Sequence, residues 1–239
     1  AEPLTKYSVS ITDGERINEF VDRAYKIAVN GYPGAVHLSL PVDIMFSSFD
    51  ENAGRQERPF DLTAQAPARA WPEPVRLQAV LDRIAAANRP VLIGGHGVWW
   101  SGGEALLEEA GRSLGIPIFN IPYHQKLLGE ECEAYMGLAD AHQYHPSADA
   151  FNDSDLILMI GARLDNQMNF GNAPLFPATT TLCCINGSHE EIDFNRAAAV
   201  TLLSDPGAFL QALIDAGKSG SIAPDRSWYD LNRQRRDAW

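Results

Sequence analysis

The sequence predicts an α/β protein: a Rossmann-like (DHS-like) parallel sheet of about six strands with helices on both faces, preceded by a helix–strand fragment. Three observations predict it. Leu156–Ile160 is an unbroken apolar run stopped by Gly161, the pattern of a central parallel strand covered on both faces. Pro90-Val91-Leu92-Ile93 has the same build and runs into Gly94-Gly95-His96-Gly97. From residue 74 onward, strand-like and helix-like segments alternate.

Taken in order, residues 1–12 read as extended or irregular, and a helix follows over about 13–30. Ile17, Phe20, Val21, Ala24, Ile27 and Ala28 share one helical face there, and Gly31 suits the C′ position. Residues 35–40 form a strand closed by Pro41. One strand and one helix bury no core of their own. Residues 47–73 lack periodicity and carry Gly54, Pro59, Pro67 and Pro72, so they read as a linker at a domain boundary. Next come a helix over 74–87, a strand at 91–94, a helix over 103–114 stopped by Gly115, and a strand over 116–121. The connection 122–145 is long and polar, with a helical turn near 125–128 and little other regular structure. Pro146 opens a short helix through Phe151. After the Leu156 strand, a loop over 165–178 leads to a strand at 180–185. Ser188 and Glu191 have capping-box spacing, and residues 200–203 are the last strand. Asp205 as N-cap, Pro206 at N1 and Gly217 at C′ bracket the final domain helix. The order of elements implies right-handed crossovers and a switch point between the first and fourth strands of the sheet. Residues 227–239 read as an amphipathic helix whose Trp228, Leu231 and Trp239 call for a partner surface. The domain organisation expected is therefore 1–46, a 47–73 linker, a central 74–217 domain and a 218–239 tail.

Composition narrows the function classes. A formal net charge of −12 argues against a nucleic-acid partner, which needs clustered Lys and Arg. No apolar run approaches the ~20 residues of a membrane span, and the first residues lack the basic end and apolar core of a signal peptide. Three cysteines without an export signal fit a reduced, cytoplasmic setting. Cys183 and Cys184 sit adjacent in a β-like run and read as buried, inert thiols.

Candidate binding residues cluster at strand ends. Gly95, His96 and Gly97 follow one strand; Gly161, Ala162, Arg163 and Asp165 follow another; Asn186 and Asp205 follow the last two. Backbone N–H groups at glycine turns suit pyrophosphate, and Arg163 suits a phosphate. Asp165, Asn186 or Asp205 suit a ribose or an adenine amino group. The bland alternative is that both glycine turns are tight corners, with the crevice filled by Trp99, Trp100 or loop residues and Arg163 paired to a carboxylate. Trp100 stands where the third glycine of G-x-G-x-x-G would be, and its bulk is expected to obstruct helix-on-strand packing. His142 and His145 have a spacing that suits a shared metal, but no further ligands complete the set, so a solvated loop is expected. His37 reads as a hydrogen-bonded structural residue, and no catalytic triad, carboxylate pair or P-loop is present.

Four stretches carry a family resemblance. Leu4-Thr5-Lys6 with the helix from Ile17 comes first. The segment 34–44 is similar to a "GPVxLxLPxDV" strand. Residues 89–95 are similar to the first strand of a central domain, and residues 154–165 to "ADLVLxxGARFD". Together they resemble the thiamine diphosphate-dependent enzymes of the acetolactate synthase, benzaldehyde lyase and 2-hydroxyacyl-CoA lyase group. The resemblance implies a central domain preceded by the end of a pyrimidine-binding domain, with the tail leading to a diphosphate-binding domain. It implies a homo-oligomeric parent lyase, transferase, carboligase or decarboxylase that uses thiamine diphosphate and Mg2+. It also implies FAD, ADP or coenzyme A in the central crevice of some members. The catalytic glutamate belongs upstream, and no Gly-Asp-Gly metal signature occurs in this sequence. The chain is therefore expected to be a scaffolding piece, inactive alone, whose partners are the parent's other domains. The rival reading is a free-standing FAD, ADP/CoA or NAD module. In that case the helix over 13–30 and the tail helix would both pack into its own core.

Overall fold

The computed structural model describes residues 1–48, 69–122, 127–140, 142, 144–220, 222 and 226–239. Most of the expected 47–73 linker and the helical turn near 125 lie outside the described residues. The chain divides into two compact units, Ala1–Ala68 and Arg69–Trp239.

In the first unit, β1 (Tyr7–Ser10) and β2 (Val36–Ser39) pair in parallel, joined through α1 (Ile17–Val29). The sequence predicts only extended or irregular chain at the first of these. Gly31 takes φ +67° beyond α1, and Lys6 Nζ ties the turn by donating to the carbonyls of Asn30 (2.6 Å) and Tyr32 (2.8 Å). The imidazole Nδ1 of His37 meets Ser8 Oγ at 3.0 Å, a structural link between the two strands. A short α2 (Val42–Met45) follows Pro41. Among the described residues of this unit, Ile11 and Ala24 are the apolar side chains that reach full burial, while Val42, Met45 and Phe46 stay exposed. A two-stranded sheet with one helix buries too little to be stable alone.

The second unit is a six-stranded, wholly parallel sheet. Its elements are α3 (Pro74–Ala86), β3 (Pro90–Gly94), α4 (His96–Trp100), α5 (Glu104–Leu114), β4 (Ile118–Asn120) and β5 (Tyr135–Leu138). α6 (His145–Asp153), β6 (Leu156–Ile160), β7 (Thr181–Asn186), β8 (Val200–Leu203), α7 (Pro206–Lys218) and α8 (Arg226–Ala238) complete it. The strand order β5-β4-β3-β6-β7-β8 puts the switch point between β3 and β6, the first and fourth strands of this sheet. Every residue of β3 and β6 is buried, as their unbroken apolar runs require. α5 packs against α7, and α6 against α8. Because α5 and α6 make crossovers in opposite directions along the sheet, the right-handed rule sets them on opposite faces.

Local chemistry fixes the ends. Glu73 caps α3, Asp205 Oδ1 caps α7 through the N–H of Ala208 (2.9 Å), and Gly115 ends α5 at φ +63°. Ser188 accepts from Glu190 N and starts a 3-10 turn over His189–Glu191. The Asp155 carboxylate accepts the N–H groups of Asn88 (2.8 Å) and Arg89 (2.9 Å), pinning the start of β6 to the turn before β3.

Three expectations need correction. The polar connection contains β5, an edge strand with a bulge against β4 and Gly137 at φ +114°. Gly217 is not the C′ residue of α7; the helix runs on to Lys218, and Gly217 is where Leu114 Cδ2 approaches to 2.5 Å of a would-be Cβ. Of Trp228, Leu231 and Trp239 in the tail, Trp228 needs no surface from elsewhere, since it is buried within the second unit and its indole donates to the Pro90 carbonyl at 3.0 Å, while Leu231 and Trp239 stay exposed. Of the two helices expected to discriminate the rival readings, α8 therefore packs into the sheet domain, whereas α1 belongs to the other unit.

Candidate functional site

The carboxyl ends of β3 and β6 flank the switch point, where open α/β sheets hold ligands, and those of β7 and β8 follow along the sheet. The fold brings Gly95, His96 and Gly97 together with Gly161, Ala162, Arg163 and Asp165, and sets Asn186 and Asp205 at the neighbouring strand ends. What these groups do there follows from their existing partners.

The two glycine turns close on each other through backbone. Gly95 N donates to Ile160 O (3.0 Å), Gly97 N to Gly161 O (2.9 Å), and Gly161 N to Ile185 O (2.8 Å). A Cβ on Gly95 would lie 2.4 Å from Gly161 O, and one on Gly97 would lie 2.6 Å from Gly161 Cα. Gly161 also takes φ +58°, which a side chain disfavours. The glycines thus permit strand-end backbones to touch, and the N–H groups of Gly95 and Gly97 are already spent on protein carbonyls.

The tryptophans do not fill this space. α4 ends after five residues, Trp99 and Trp100 are 37% and 52% exposed, and their rings meet edge to face at 4.7 Å. The expected obstruction by Trp100 does not arise because α4 is a separate short turn and α5 starts afresh after Gly103.

The polar candidates have protein partners. Arg163 Nη1 lies 3.4 Å from Glu191 Oε1, and its guanidinium sits 5.3 Å from the Phe194 ring centroid. Its side chain remains about half exposed, at 49%. Asp165 Oδ1 accepts from Gln167 N (3.0 Å) and Asp205 Oδ1 caps α7, so both carboxylates serve backbone N–H groups. Asn186 is buried, and its carbonyl accepts from Ser204 N at 2.9 Å. Ala162 is buried beside Gly95.

His142 and His145 turn to different neighbours: His142 Nε2 to the Asn166 carbonyl at 3.1 Å, His145 to the Trp239 ring at 5.0 Å. Among the described residues, no group of three His, Cys, Asp or Glu is placed to hold a metal ion. All three cysteines are free and buried. Burial pushes the Cys183 thiol up to about 11 and the Cys184 thiol up to about 12, so neither is a nucleophile near neutrality.

Two features escaped the sequence reading. Arg196 donates to four carbonyls, those of Gly171 (3.1 Å), Phe176 (3.2 Å), Pro177 (3.1 Å) and Thr180 (2.8 Å), and so fixes the loop between β6 and β7. That loop holds Asn169 and Phe170 at positive φ, and no sequence signal marks an arginine that binds only backbone. A cavity of about 740 Å3 also opens at the ends of β4 and β5, lined in part by Pro122, Tyr135, Tyr144 and Arg236. Burial raises the Tyr135 hydroxyl to about 12, so it stays protonated.

Comparison with known proteins follows the same lines. The family model described as "Thiamine pyrophosphate enzyme, central domain" matches residues 77–213, more than half of the chain. The acetolactate synthase large subunit of Cyanidium caldarium is 24% identical over 228 residues, covering 94% of this chain and 38% of the relative. Oxalyl-CoA decarboxylase of Escherichia coli is 24% identical over 236 residues, covering 97% of this chain and 39% of the relative. The chain thus spans about two fifths of the length of these curated relatives. Among solved structures, the thiamine diphosphate-dependent 4-hydroxybenzoylformate decarboxylase of Rhodococcus jostii RHA1 superposes with a TM-score of 0.70 at 18% identity, over 90% of this chain and 40% of that one. That likeness carries the fold.

Proposed function

Because the chain belongs to the thiamine pyrophosphate enzyme central domain family, we propose that it is the middle portion of a larger thiamine diphosphate-dependent carboligase, lyase or decarboxylase. Its work there is to scaffold the flanking domains. The observation that carries this is the coverage: relatives align with nearly the whole of this chain, yet it matches only 38% and 39% of them. In this reading, residues 1–46 end a pyrimidine-binding domain whose further strands cover the exposed apolar side chains Val42, Met45 and Phe46. Residues 74–217 are the central domain, and the 218–239 tail leads toward a diphosphate-binding domain. The parent is a homo-oligomer that works in a reducing, cytoplasmic setting, consistent with three free thiols.

The described residues do not fit thiamine diphosphate with Mg2+. They include no cluster of three metal-ligating side chains, and the carboxylates at the switch point, Asp165 and Asp205, are engaged as helix caps. Catalysis is therefore assigned to the parent's other domains.

A second reading, an adenine nucleotide (FAD, ADP or coenzyme A, or NAD in a free-standing module) at the switch point, is favoured by the half-exposed guanidinium of Arg163, which follows β6. Against it stand the N–H groups of Gly95 and Gly97, both committed to protein carbonyls. Two experiments test these readings. Expression of this chain and of the full product of its reading frame should give thiamine diphosphate- and Mg2+-dependent turnover of a 2-oxo acid or a 2-hydroxyacyl-CoA in the long product alone. Turnover by the 239-residue chain would refute the scaffold reading. Calorimetry of this chain with each of the four nucleotides separates the second reading: micromolar binding that Arg163→Ala weakens would establish it.

A further inference from the structure

α7 and α8 are both 13 residues long, but they are held to the sheet in different ways. α7 buries eight residues, whereas α8 buries Trp228, Tyr229 and Asn232. α8 buries the Trp228 and Tyr229 rings in the core and bonds the Trp228 indole to Pro90, and its other ties across to the sheet domain are those of three arginines. Arg233 meets Glu133 at 2.5 Å with both side chains about half exposed, and Arg235 meets Asp153 at 2.5 Å. Arg236 Nη1 donates to the carbonyls of Glu133 (3.3 Å) and Tyr135 (2.9 Å) on the outer edge of the sheet. The half-exposed Arg233–Glu133 pair is weak and screened by salt, whereas Arg235 is more sheltered, at 22% exposure.

The underside of α8 also carries a penalty. Five buried side-chain polar atoms among the described residues lack a partner, and three are on this helix: Tyr229 Oη, Asn232 Oδ1 and Arg235 Nη1. Each has lost its hydration on docking and gained no protein bond in return. Asn232 Nδ2 bonds only within α8, to the Trp228 carbonyl at 2.9 Å, so it adds nothing across the interface.

We propose that α8 is a releasable strap over the β5 edge. It lifts in a local opening promoted by salt, while the sheet and α7 stay folded. Lifting rehydrates the three atoms and the ion pairs, uncovers the outward carbonyls of Glu133 and Tyr135, and removes the wall that Arg236 and Asp237 give to the β4–β5 cavity. An uncovered strand edge is the kind of surface that proteins otherwise protect.

Hydrogen exchange on the 239-residue chain tests this, read at the backbone of α7 and α8 and at the Trp228 indole N–H, in 0.05 M and 1 M NaCl as chosen conditions. The expected result is α8 exchange at least about tenfold faster than α7, with the Trp228 indole exchanging alongside it and both rates rising with salt. Asn232→Leu, which removes one unpartnered acceptor and keeps the volume, should slow α8 and leave α7 unchanged. Protection of α8 equal to that of α7, or rates that ignore salt, would overturn the proposal. So would fast exchange confined to the residues near Trp239 with the indole protected, since that is ordinary end fraying. If the variant does not fold, the wild-type salt series still decides.

Discussion

Gly97 donates its backbone N–H to the carbonyl of Gly161 at 2.9 Å, and neither residue has room for a Cβ: one on Gly161 would lie 2.7 Å from Gly97 Cα. This contact joins the ends of β3 and β6 where the sheet reverses its strand order. It turns a motif that looks like a phosphate cradle into a structural seam. Gly161→Ala should therefore destabilise the second unit by about 2–4 kcal/mol, from the left-handed φ plus the overlap. Urea denaturation followed by far-UV circular dichroism measures it, and a loss under about 0.5 kcal/mol would show that the seam is loose.

Arg196 makes the corresponding claim for the loop between β6 and β7. Its four carbonyl acceptors all lie in residues 171–180. Arg196→Met keeps the stem and removes the donors, and should cost about 2–4 kcal/mol by leaving carbonyls without partners. Amide exchange should quicken in this loop more than in β3. Uniform quickening across the sheet would argue against a local staple.

The paired cysteines predict a dependence on pH. The folded thiols titrate at about 11 and about 12 against roughly 8.5 in an unfolded chain. The folded state therefore holds these protons more tightly. Their contribution to stability is complete below about pH 8.5 and is lost as pH rises through about 11 and about 12. The denaturation midpoint should fall over that window, and the fall should be smaller in the Cys183→Ala, Cys184→Ala double variant. An equal fall in both proteins would assign the effect to other groups.

Asp155 offers a test at the start of β6. Its carboxylate accepts two backbone N–H groups from the turn before β3. Asp155→Ala should cost about 1–3 kcal/mol, and Asp155→Asn less, because the amide keeps one acceptor oxygen. Equal losses for the two variants would contradict this account of the turn.

Much of the fold was legible because its signals are local. The unbroken runs of β3 and β6, the Asp205-Pro206 start of α7 and the glycine after α5 each act within a few residues. β5 was not legible. Tyr-Met-Gly-Leu has a glycine in the middle and no apolar run, and it is a strand because β4 pairs with it and because Tyr144 donates its hydroxyl to the Met136 carbonyl at 2.7 Å. The amphipathic pattern of α8 was legible, but not the surface that Trp228 meets, because the Pro90 carbonyl lies far away in the sequence. At the switch point the glycines after β3 and β6 meet through their backbones. Those partners were not legible, because a glycine that admits a phosphate and a glycine that admits a neighbouring backbone look the same in sequence.

The central claim is that this chain supplies the scaffold and that other domains of the parent supply the cofactor site. Calorimetric titration of the purified 239-residue chain with thiamine diphosphate and Mg2+ tests it most directly. The account predicts no heat of binding and no shift in melting temperature. Saturable binding at micromolar cofactor would contradict it and place a cofactor site within these residues.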